Sequence, residues 1–350
     1  MIARSGWGPD DAVLSFSCAP FGGHRVRAEV LKGDPMLTRN MLHIHTRAGA
    51  FDFYSGGNYF VIPPGYGGLS SAVNSTLTIE GADQQRDPAR DARLRRIDLA
   101  DGYVYAAGTA AEVYPSEIRL AGWTRHLAWL KPDLIVIADE LEADATLEEG
   151  RQTVWRMNYD NRANEAEVSG LTCRVKPRQA GDGRQLAVQV LEPRAMALSA
   201  TDLRLPNATW TMCGQLQAAA TDIFSRSRQA RIVAVLEVLD GPGKPCGQAA
   251  SVEGSGVLGA SVERDGVTRA AVFVTAGRRD DQPLAFTVTG GPKLHCLVFG
   301  LPAQRGFAAD IRRQERDGRT QYAVTLVRGD AMTTNAAGTL TVTSGDSIQK

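Results

Sequence analysis

Short β-type runs that end at glycine, aspartate or proline recur along this 350-residue chain. Clear examples are "LTIEG", "YVYAAG", "TVWRMNY", "RIVAVLEVLDG", "AAVFVTAG", "LHCLVFG" and "YAVTLVRG". Helical periodicity is scarce, and only residues 87–96 and a stretch near 216–230 favour a helix. Many strands without an alternating strand–helix pattern predict an all-β chain, built as an antiparallel sandwich or barrel.

The clearest hairpin is "RHLAWLKPDLIVIADEL". Its pattern predicts a strand at 125–130, a turn at Lys131-Pro132-Asp133 and an apolar strand at 134–138. Proline sets the backbone dihedral that a turn needs, and aspartate can hydrogen-bond the turn backbone.

One stretch, "LDGPGKPCGQAASVEGSG" at 239–256, is dense in glycine, proline and serine. It predicts a linker-like boundary at 241–256. On that division, residues 1–240 form a large sandwich domain and residues 257–350 form a smaller β-rich C-terminal domain.

Composition argues against several classes of function. Lys+Arg and Asp+Glu are 39 each, so the chain lacks the basic excess of a nucleic-acid binder and we expect no nucleic-acid partner. No apolar run approaches the roughly 20 residues of a membrane-spanning helix, so we expect no membrane partner. The first residues lack the pattern of a signal peptide, and the sequence assigns no compartment. The five cysteines are widely spread without a C-x-x-C, which favours free thiols.

Two of the five histidines, His43 and His45, lie one residue apart in "HIHTRAGAFDFYSGGNYFVIPPGYGG". On a strand this spacing places both imidazoles on one face. That arrangement suits two metal ligands, or a base beside a charge stabiliser, but a zinc site needs three or four converging ligands. The alternative is a strand that carries two histidines without a catalytic role.

Several stretches in sequence order resemble the β-sandwich portion of heparinase II/III-like polysaccharide lyases. The likeness covers roughly the first 160 residues, and no single motif carries it. The matching stretches are "RSGW" at 4–7, the H-x-H signature "HIHTRAGAF" at 43–51, the turn "PPGY" at 63–66, the strand "VNSTLTIEGADQ" at 73–84 and the block "VYPSEIRLAGWTRHLAWLKPDLIVIADELEA" at 113–143.

This resemblance implies a large antiparallel two-sheet β-sandwich followed by a smaller β-rich C-terminal domain. It also implies β-elimination on a uronic-acid-containing polysaccharide, in which the C5 proton is removed and the C4 oxygen is expelled. Such a site must neutralise the sugar carboxylate and stabilise the developing enolate. It must also place a base and an acid at the reacting atoms.

By the resemblance, His43 takes a role in the substrate cleft and His45 takes the position of a structural zinc ligand. The family's two other zinc ligands are replaced here by Pro63 and Val73, which cannot coordinate a metal. One ligand does not hold a structural zinc, so we expect no metal at this position and no cofactor. The aspartate of the signature is Arg47 here, a cation for an acidic sugar or for Asp52.

In the family an α/α-toroid precedes the sandwich and supplies the catalytic tyrosine. This chain begins almost at the first sandwich strand and shows no helical repeat. The expected partners are therefore an acidic polysaccharide or oligosaccharide, together with a toroid partner chain or a second copy of the chain. The candidate catalytic residues are His43 and Tyr66, and the candidate substrate-binding residues are Asn40, Arg47, Tyr54 and Asn74.

Two other outcomes stay open from the sequence. The first is a non-catalytic carbohydrate-binding or scaffolding β-sandwich, since sugars stack on aromatic faces and carboxylates pair with arginine. The aromatic and arginine side chains within residues 47–66 fit that role. The second is a sandwich fragment without activity.

Overall fold

The computed structural model describes residues 1–33, 44–65, 69–144, 151–179, 183–204, 211–278, 282–344 and 348–349. In these ranges one α-helix, α1 (His24–Leu31), follows the second strand. Short 3-10 turns occupy Ser71–Val73, Ala111–Val113 and Ser116–Ile118. No helix of the described ranges has the length and apolarity needed to cross a bilayer.

Strands make up most of the described chain. Up to residue 240 they are β1 (Ile2–Arg4), β2 (Val13–Ser17), β3 (Ala50–Ser55), β4 (Asn58–Val61), β5 (Leu77–Ile79), β6 (Arg93–Leu99), β7 (Tyr103–Thr109), β8 (Leu120–Leu130), β9 (Leu134–Ala143), β10 (Thr153–Tyr159), β11 (Asn164–Ser169), β12 (Thr172–Pro177), β13 (Gln185–Glu192), β14 (Ala197–Arg204), β15 (Thr211–Ala220) and β16 (Gln229–Leu239). Beyond it they are β17 (Gln248–Ser251), β18 (Glu253–Gly254), β19 (Val257–Arg264), β20 (Val267–Val274), β21 (Leu284–Gly290), β22 (Lys293–Phe299), β23 (Gly306–Arg316), β24 (Arg319–Arg328), β25 (Met332–Thr333), β26 (Leu340–Thr343) and β27 (Ile348–Gln349).

The sheets stack in four layers. The outer layer combines the sheet β1-β2-β3-β4 with the sheet β14-β15-β10-β5, and the Ile62 amide joins them by donating to the Asn158 carbonyl at 3.4 Å. The second layer is an eight-stranded sheet in the order β11-β12-β13-β16-β9-β8-β7-β6. The third and fourth layers are the C-terminal sheets β17-β19-β20-β22-β26 and β18-β21-β24-β23-β25.

Three apolar cores lie between these layers. The first packs aromatic residues of the outer layer, such as Phe51 and Trp155, against Trp129 of the large sheet. The second lies between the opposite face of the large sheet and β19, β20 and β22. The third fills the C-terminal sandwich. The eight-stranded sheet is therefore covered on both faces.

This position explains the composition of its central strands. Strand β9 begins with the apolar run Leu134–Ala138 and is buried at each of those residues, because both of its faces meet a core. Strand β2 belongs to the outer layer and alternates between half-buried and buried residues instead. The continuous apolar run of β9 thus reflects its position between two cores, whereas the alternation in β2 reflects one face that is only half-buried.

The structure confirms the all-β prediction and the large antiparallel sandwich with a smaller β-rich C-terminal part. The hairpin at 125–138 is also confirmed, and it extends over the whole of β8 and β9. The two helix predictions are wrong. Residues 87–96 lead into β6, and residues 216–230 include the end of β15 and the start of β16. The described part of the C-terminal sandwich contains two departures from antiparallel order, because β20 runs parallel to β22 and β23 runs parallel to β27.

The predicted boundary at 241–256 stays a prediction. Within it β17 and β18 pair with β19 and β21, so these residues belong to the C-terminal sheets. Polar contacts also join the two parts of the chain: Arg269 donates to Asp133 Oδ1 at 2.5 Å and to the Leu130 carbonyl at 2.6 Å. Both acceptors lie at the turn between β8 and β9, so the C-terminal part is fixed to the large sheet there.

Aromatic rings continue this interface. Tyr105 lies 4.5 Å from Phe299 between ring centroids, and His126 lies 5.1 Å from Phe273. The Tyr105 hydroxyl and His126 Nδ1 are 3.0 Å apart, while His126 Nε2 is buried without a hydrogen-bond partner among the described residues. Burial, followed by the positive charge of Arg96, lowers the pKa of His126 to about 3.

His126 should make folding stability depend on pH. The folded protein keeps this imidazole neutral, whereas the unfolded chain protonates it below its ordinary pKa of about 6.5. The unfolded state then binds one more proton, so this contribution to the free energy of unfolding falls as pH drops from about 6.5 towards about 3. We expect His126→Phe to reduce the pH slope by up to about 1.4 kcal/mol per unit in urea unfolding. Equal slopes in the two proteins would contradict this expectation.

Candidate functional site

The H-x-H signature leads into β3, and its described part lines a pocket of about 360 Å³. Residues 44–48 form one wall, and residues 17 and 19–23 before α1 form another. Gln84, Gln85 and Val113 complete the lining. His45 is half-buried at this pocket. The signature therefore lies at a concave surface between the start of α1 and the loop that follows β5.

Arg47 lies in the same pocket and pairs with Asp52. Its Nη2 donates to Asp52 Oδ2 at 2.7 Å, and Ser15 Oγ donates to the same oxygen at 2.7 Å. Both charged side chains keep about a quarter of their surface exposed (27% and 24%). Of the two partners predicted for Arg47, the structure shows Asp52, and part of the Arg47 side chain stays exposed.

The loop that carries these residues is held by a side-chain amide. The Gln84 side chain accepts from the Ala48 amide at 2.9 Å and donates to the Ala48 carbonyl at 2.9 Å. It thus pairs with both backbone groups of one residue, as a neighbouring β-strand does. Thr76 donates to that carbonyl at 2.7 Å. Gln84 and Thr76 belong to the motif at 73–84, so two separate sequence signatures meet at one residue, Ala48.

A buried ion pair holds the next residue of the loop. Arg125 on β8 and Asp139 on β9 are cross-strand partners, only 1% and 0% exposed, and form two hydrogen bonds of 2.8 Å. Arg125 Nη1 donates to the Gly49 carbonyl at 2.7 Å, and Trp123 Nε1 donates to Asp139 Oδ1 at 2.7 Å. Arg125 of the β8–β9 hairpin thus fixes the position of the H-x-H loop against the large sheet.

Two predicted substrate-binding residues lie away from this pocket. Asn74 is only 1% exposed, and its Nδ2 donates to the Ser70 carbonyl at 2.7 Å, which holds the 3-10 turn before β5. Tyr54 lines a separate groove of about 490 Å³ on the outward face of β1–β4. Asp52 lines that groove too, so the Arg47–Asp52 pair lies between the two concave surfaces.

The other predicted catalytic and binding residues, Asn40, His43 and Tyr66, lie outside the described residues. At the degenerate zinc position Pro63 is exposed, and Val73 lies in a 3-10 turn where its carbonyl accepts from Asn158 at 2.7 Å. No group of three metal-ligating side chains occurs within the described ranges. The expectation that His45 holds no zinc stays a prediction.

Sequence reasoning missed two residues beside Tyr54. Arg4 and Tyr59 line the same groove, and the Tyr54 and Tyr59 ring centroids lie 4.9 Å apart. Arg4 appeared only as the first letter of the R-S-G-W motif, and Tyr59 carried no motif. The signal that was available is strand alternation, which places Arg4, Tyr54 and Tyr59 on the outward face.

Solved structures with a similar fold are polysaccharide lyases. A crystal structure of heparinase III matches with a TM-score of 0.57 and 14% sequence identity, covering 77% of this chain and 40% of that one. The heparan sulfate lyase HepC from Pedobacter heparinus matches with a TM-score of 0.57 and 14% identity, covering 79% and 41%. No family model and no curated protein matches the sequence.

At this level of identity the similarity shows the fold. The chain has the β-sheet architecture of the matched part of these lyases, and it spans about 40% of their length. The resemblance seen in the sequence motifs is therefore confirmed for the fold.

The buried ion pair should dominate stability in this region. Asp139→Asn keeps the shape of the side chain but leaves the Arg125 guanidinium buried without a counter-charge. We expect a loss of about 3–5 kcal/mol in the free energy of unfolding, measured in urea. The matched control is Asp144→Asn, which breaks an exposed pair with Arg119 and should change little. Equal effects of the two substitutions would contradict the importance of burial.

Gly49 should be intolerant of a side chain. Its φ is +76°, and a Cβ there would lie 2.7 Å from the ring of Trp123. Gly57 has a similar φ of +80° with nothing within 4 Å of a Cβ, so Gly57→Ala measures the backbone cost alone. We expect Gly49→Ala to cost about 1–3 kcal/mol more than Gly57→Ala in urea unfolding. A difference near zero would show that Trp123 moves away without cost.

Proposed function

We propose that this chain is the β-sandwich portion of a polysaccharide lyase that cleaves uronic-acid-containing polysaccharide by β-elimination. The observation that carries the proposal is the pocket at the H-x-H loop. There a guanidinium oriented by Asp52 lies beside a histidine signature, on a loop held by Gln84 and Arg125. The similarity in fold to heparinase III and to a heparan sulfate lyase supports it.

The chemistry assigns a task to each group. A base takes the C5 proton, the electrons of that C–H bond form the C4=C5 double bond, and the C4–O bond breaks. The leaving oxygen takes a proton from an acid. The carboxylate attached to C5 gathers negative charge in the enolate-like transition state, so a nearby cation lowers the barrier.

Within this proposal Arg47 binds the sugar carboxylate, because its side chain lines the pocket and Asp52 already orients its guanidinium. His43 either neutralises the sugar carboxylate or removes the proton from C5. Tyr66 acts as the acid or the base. Asn40 contributes a polar contact to the sugar. His45 stands at the position of the family's structural zinc ligand and binds no metal in this proposal. Tyr54 and Asn74 lie outside the pocket, and Asn74 holds a turn.

The proposal includes a partner. The lyases that match are longer than this chain, which spans about 40% of their length. An α/α-toroid of the kind found in the resembling family would close the open side of the pocket and add a catalytic tyrosine. It would come from a partner chain, or a second copy of this chain would take its place.

Product absorbance tests the proposed activity. The purified chain is incubated with heparan sulfate, hyaluronan, alginate and polygalacturonate, and the ultraviolet absorbance of the C4=C5 bond is followed. If a second copy of the chain closes the pocket, we expect at least one polymer to yield unsaturated product, and His43→Ala to lower the rate about 100-fold or more. Tyr66→Phe should abolish it. Arg47→Gln should raise KM and also lower kcat, because it removes a contact to the carboxylate on which negative charge gathers in the transition state.

The matched control is His295→Ala, which removes an exposed histidine from β22 in the C-terminal sheets and should leave the rate unchanged. If no polymer yields unsaturated product, the proposal that this chain catalyses β-elimination without another protein is wrong. Binding of a polymer without product would instead favour the non-catalytic carbohydrate-binding alternative. Activity that survives Tyr66→Phe would remove Tyr66 from its assigned role.

A further inference from the structure

The outward face of β1–β4 presents aromatic rings next to a groove. Trp7 is 89% exposed and Tyr59 is 61% exposed, both unusually high for large aromatic side chains in a folded chain. The Arg4 guanidinium lies 4.8 Å from the centre of the Trp7 ring. Arg4 also lines the groove of about 490 Å³ with Tyr54 and Tyr59, so this cation connects the exposed Trp7 ring to a concave surface bordered by two tyrosine rings.

The loop that presents Trp7 is held by its own hydrogen bonds. Asp11 accepts from the Ser5 hydroxyl at 3.1 Å and from the Gly8 amide at 2.6 Å, while Ser5 Oγ accepts from the Ala12 amide at 2.8 Å. A Cβ on Gly6 would overlap the Asp11 carboxylate. The residues around Trp7 in the R-S-G-W motif therefore fold a tight loop that leaves the indole in solvent.

A further contact fixes this loop against the groove. The Tyr54 hydroxyl donates to the Pro9 carbonyl at 2.9 Å, which joins β3 to the loop at 5–12. Tyr54 is thereby held beside Tyr59, with 4.9 Å between ring centroids. A rigid set of exposed rings loses little conformational entropy on binding, which favours a ligand-binding surface.

The charges of the groove indicate the class of ligand. Asp52, the carboxylate in its lining, is neutralised by Arg47 at 2.7 Å and hydrogen-bonded by Ser15. In the part of the chain that the structure describes, no carboxylate pairs with Arg4. The groove therefore carries one uncompensated cation among aromatic faces, which suits a ring-shaped ligand that bears an anion.

We propose that this groove binds the acidic sugars of a glycan chain, at a subsite separate from the pocket at the H-x-H loop. Sugar rings stack on Trp7 and Tyr59, and Arg4 pairs with a carboxylate or sulfate group. The inference goes beyond the proposed cleavage, because binding at this groove needs no catalytic step.

Calorimetric titration of the full chain with heparan sulfate, hyaluronan and dextran tests the proposal. We expect the two acidic glycans, or heparan sulfate alone, to bind at low salt, and neutral dextran not to bind. If both acidic glycans bind, the group that pairs with Arg4 is a carboxylate. If heparan sulfate alone binds, that group is a sulfate. We expect Trp7→Ala to weaken binding about 10-fold and Arg4→Gln about 3-fold. Tyr59→Ala provides a second exposed position whose substitution leaves the cores intact.

The matched control is Arg328→Gln, since Arg328 also lies over an aromatic ring, that of Phe307 at 5.3 Å, but in the C-terminal sandwich. This variant should bind as the unmodified chain does. Repeating the titrations in His43→Ala separates the two proposals, because loss of cleavage should leave binding at the groove intact. The proposal is overturned if neither acidic glycan binds, if dextran binds equally well, or if Trp7→Ala and Tyr59→Ala both bind like the unmodified chain.

Discussion

The ion pair between Arg125 and Asp139 lies where the outer layer meets the large sheet, and the arrangement of the H-x-H loop depends on it. Burying two charges is costly unless each donor and acceptor is satisfied. Here Arg125 reaches the Gly49 carbonyl after forming two bonds to Asp139, and Asp139 also accepts from Trp123. Another path of the loop would remove the shorter of the two backbone acceptors of Arg125 Nη1, so the pair favours this loop geometry.

Gln84 adds a second constraint of the same kind from the opposite side. It satisfies both the amide and the carbonyl of Ala48, the residue immediately before Gly49. The segment at 48–49 is therefore hydrogen-bonded by side chains from two distant stretches, although it belongs to no strand. This rigidity holds His45 and Arg47 at the edge of the pocket, and it depends on Gln84 and Arg125.

Much of the fold was predictable because it depends on local pattern. The apolar run of β9 and the turn at Lys131-Pro132-Asp133 determine a hairpin without reference to distant residues. Strand β6 was mistaken for a helix because it is an edge strand whose exposed arginines give no alternation of apolar residues. Helix α1 was not predicted because it buries no residue and so has no apolar stripe.

The candidate site was less predictable, because its contacts join residues far apart in the chain. Asn74 belongs to a family motif, yet burial makes it a structural residue, and nothing in the sequence distinguishes an exposed amide from a buried one. The role of the R-S-G-W motif was equally hidden, since Ser5 and Gly6 matter only through Asp11.

The Arg47–Asp52 pair connects the two concave surfaces of this region. Arg47 faces the pocket at the H-x-H loop, whereas Asp52 faces the groove with Arg4, Tyr54 and Tyr59. An anionic sugar that drew the guanidinium into the pocket would weaken its contact with Asp52 and make the groove more acidic. The two proposed subsites are therefore not electrostatically independent. A glycan that occupies both must therefore offer one anion to Arg47 and another to Arg4.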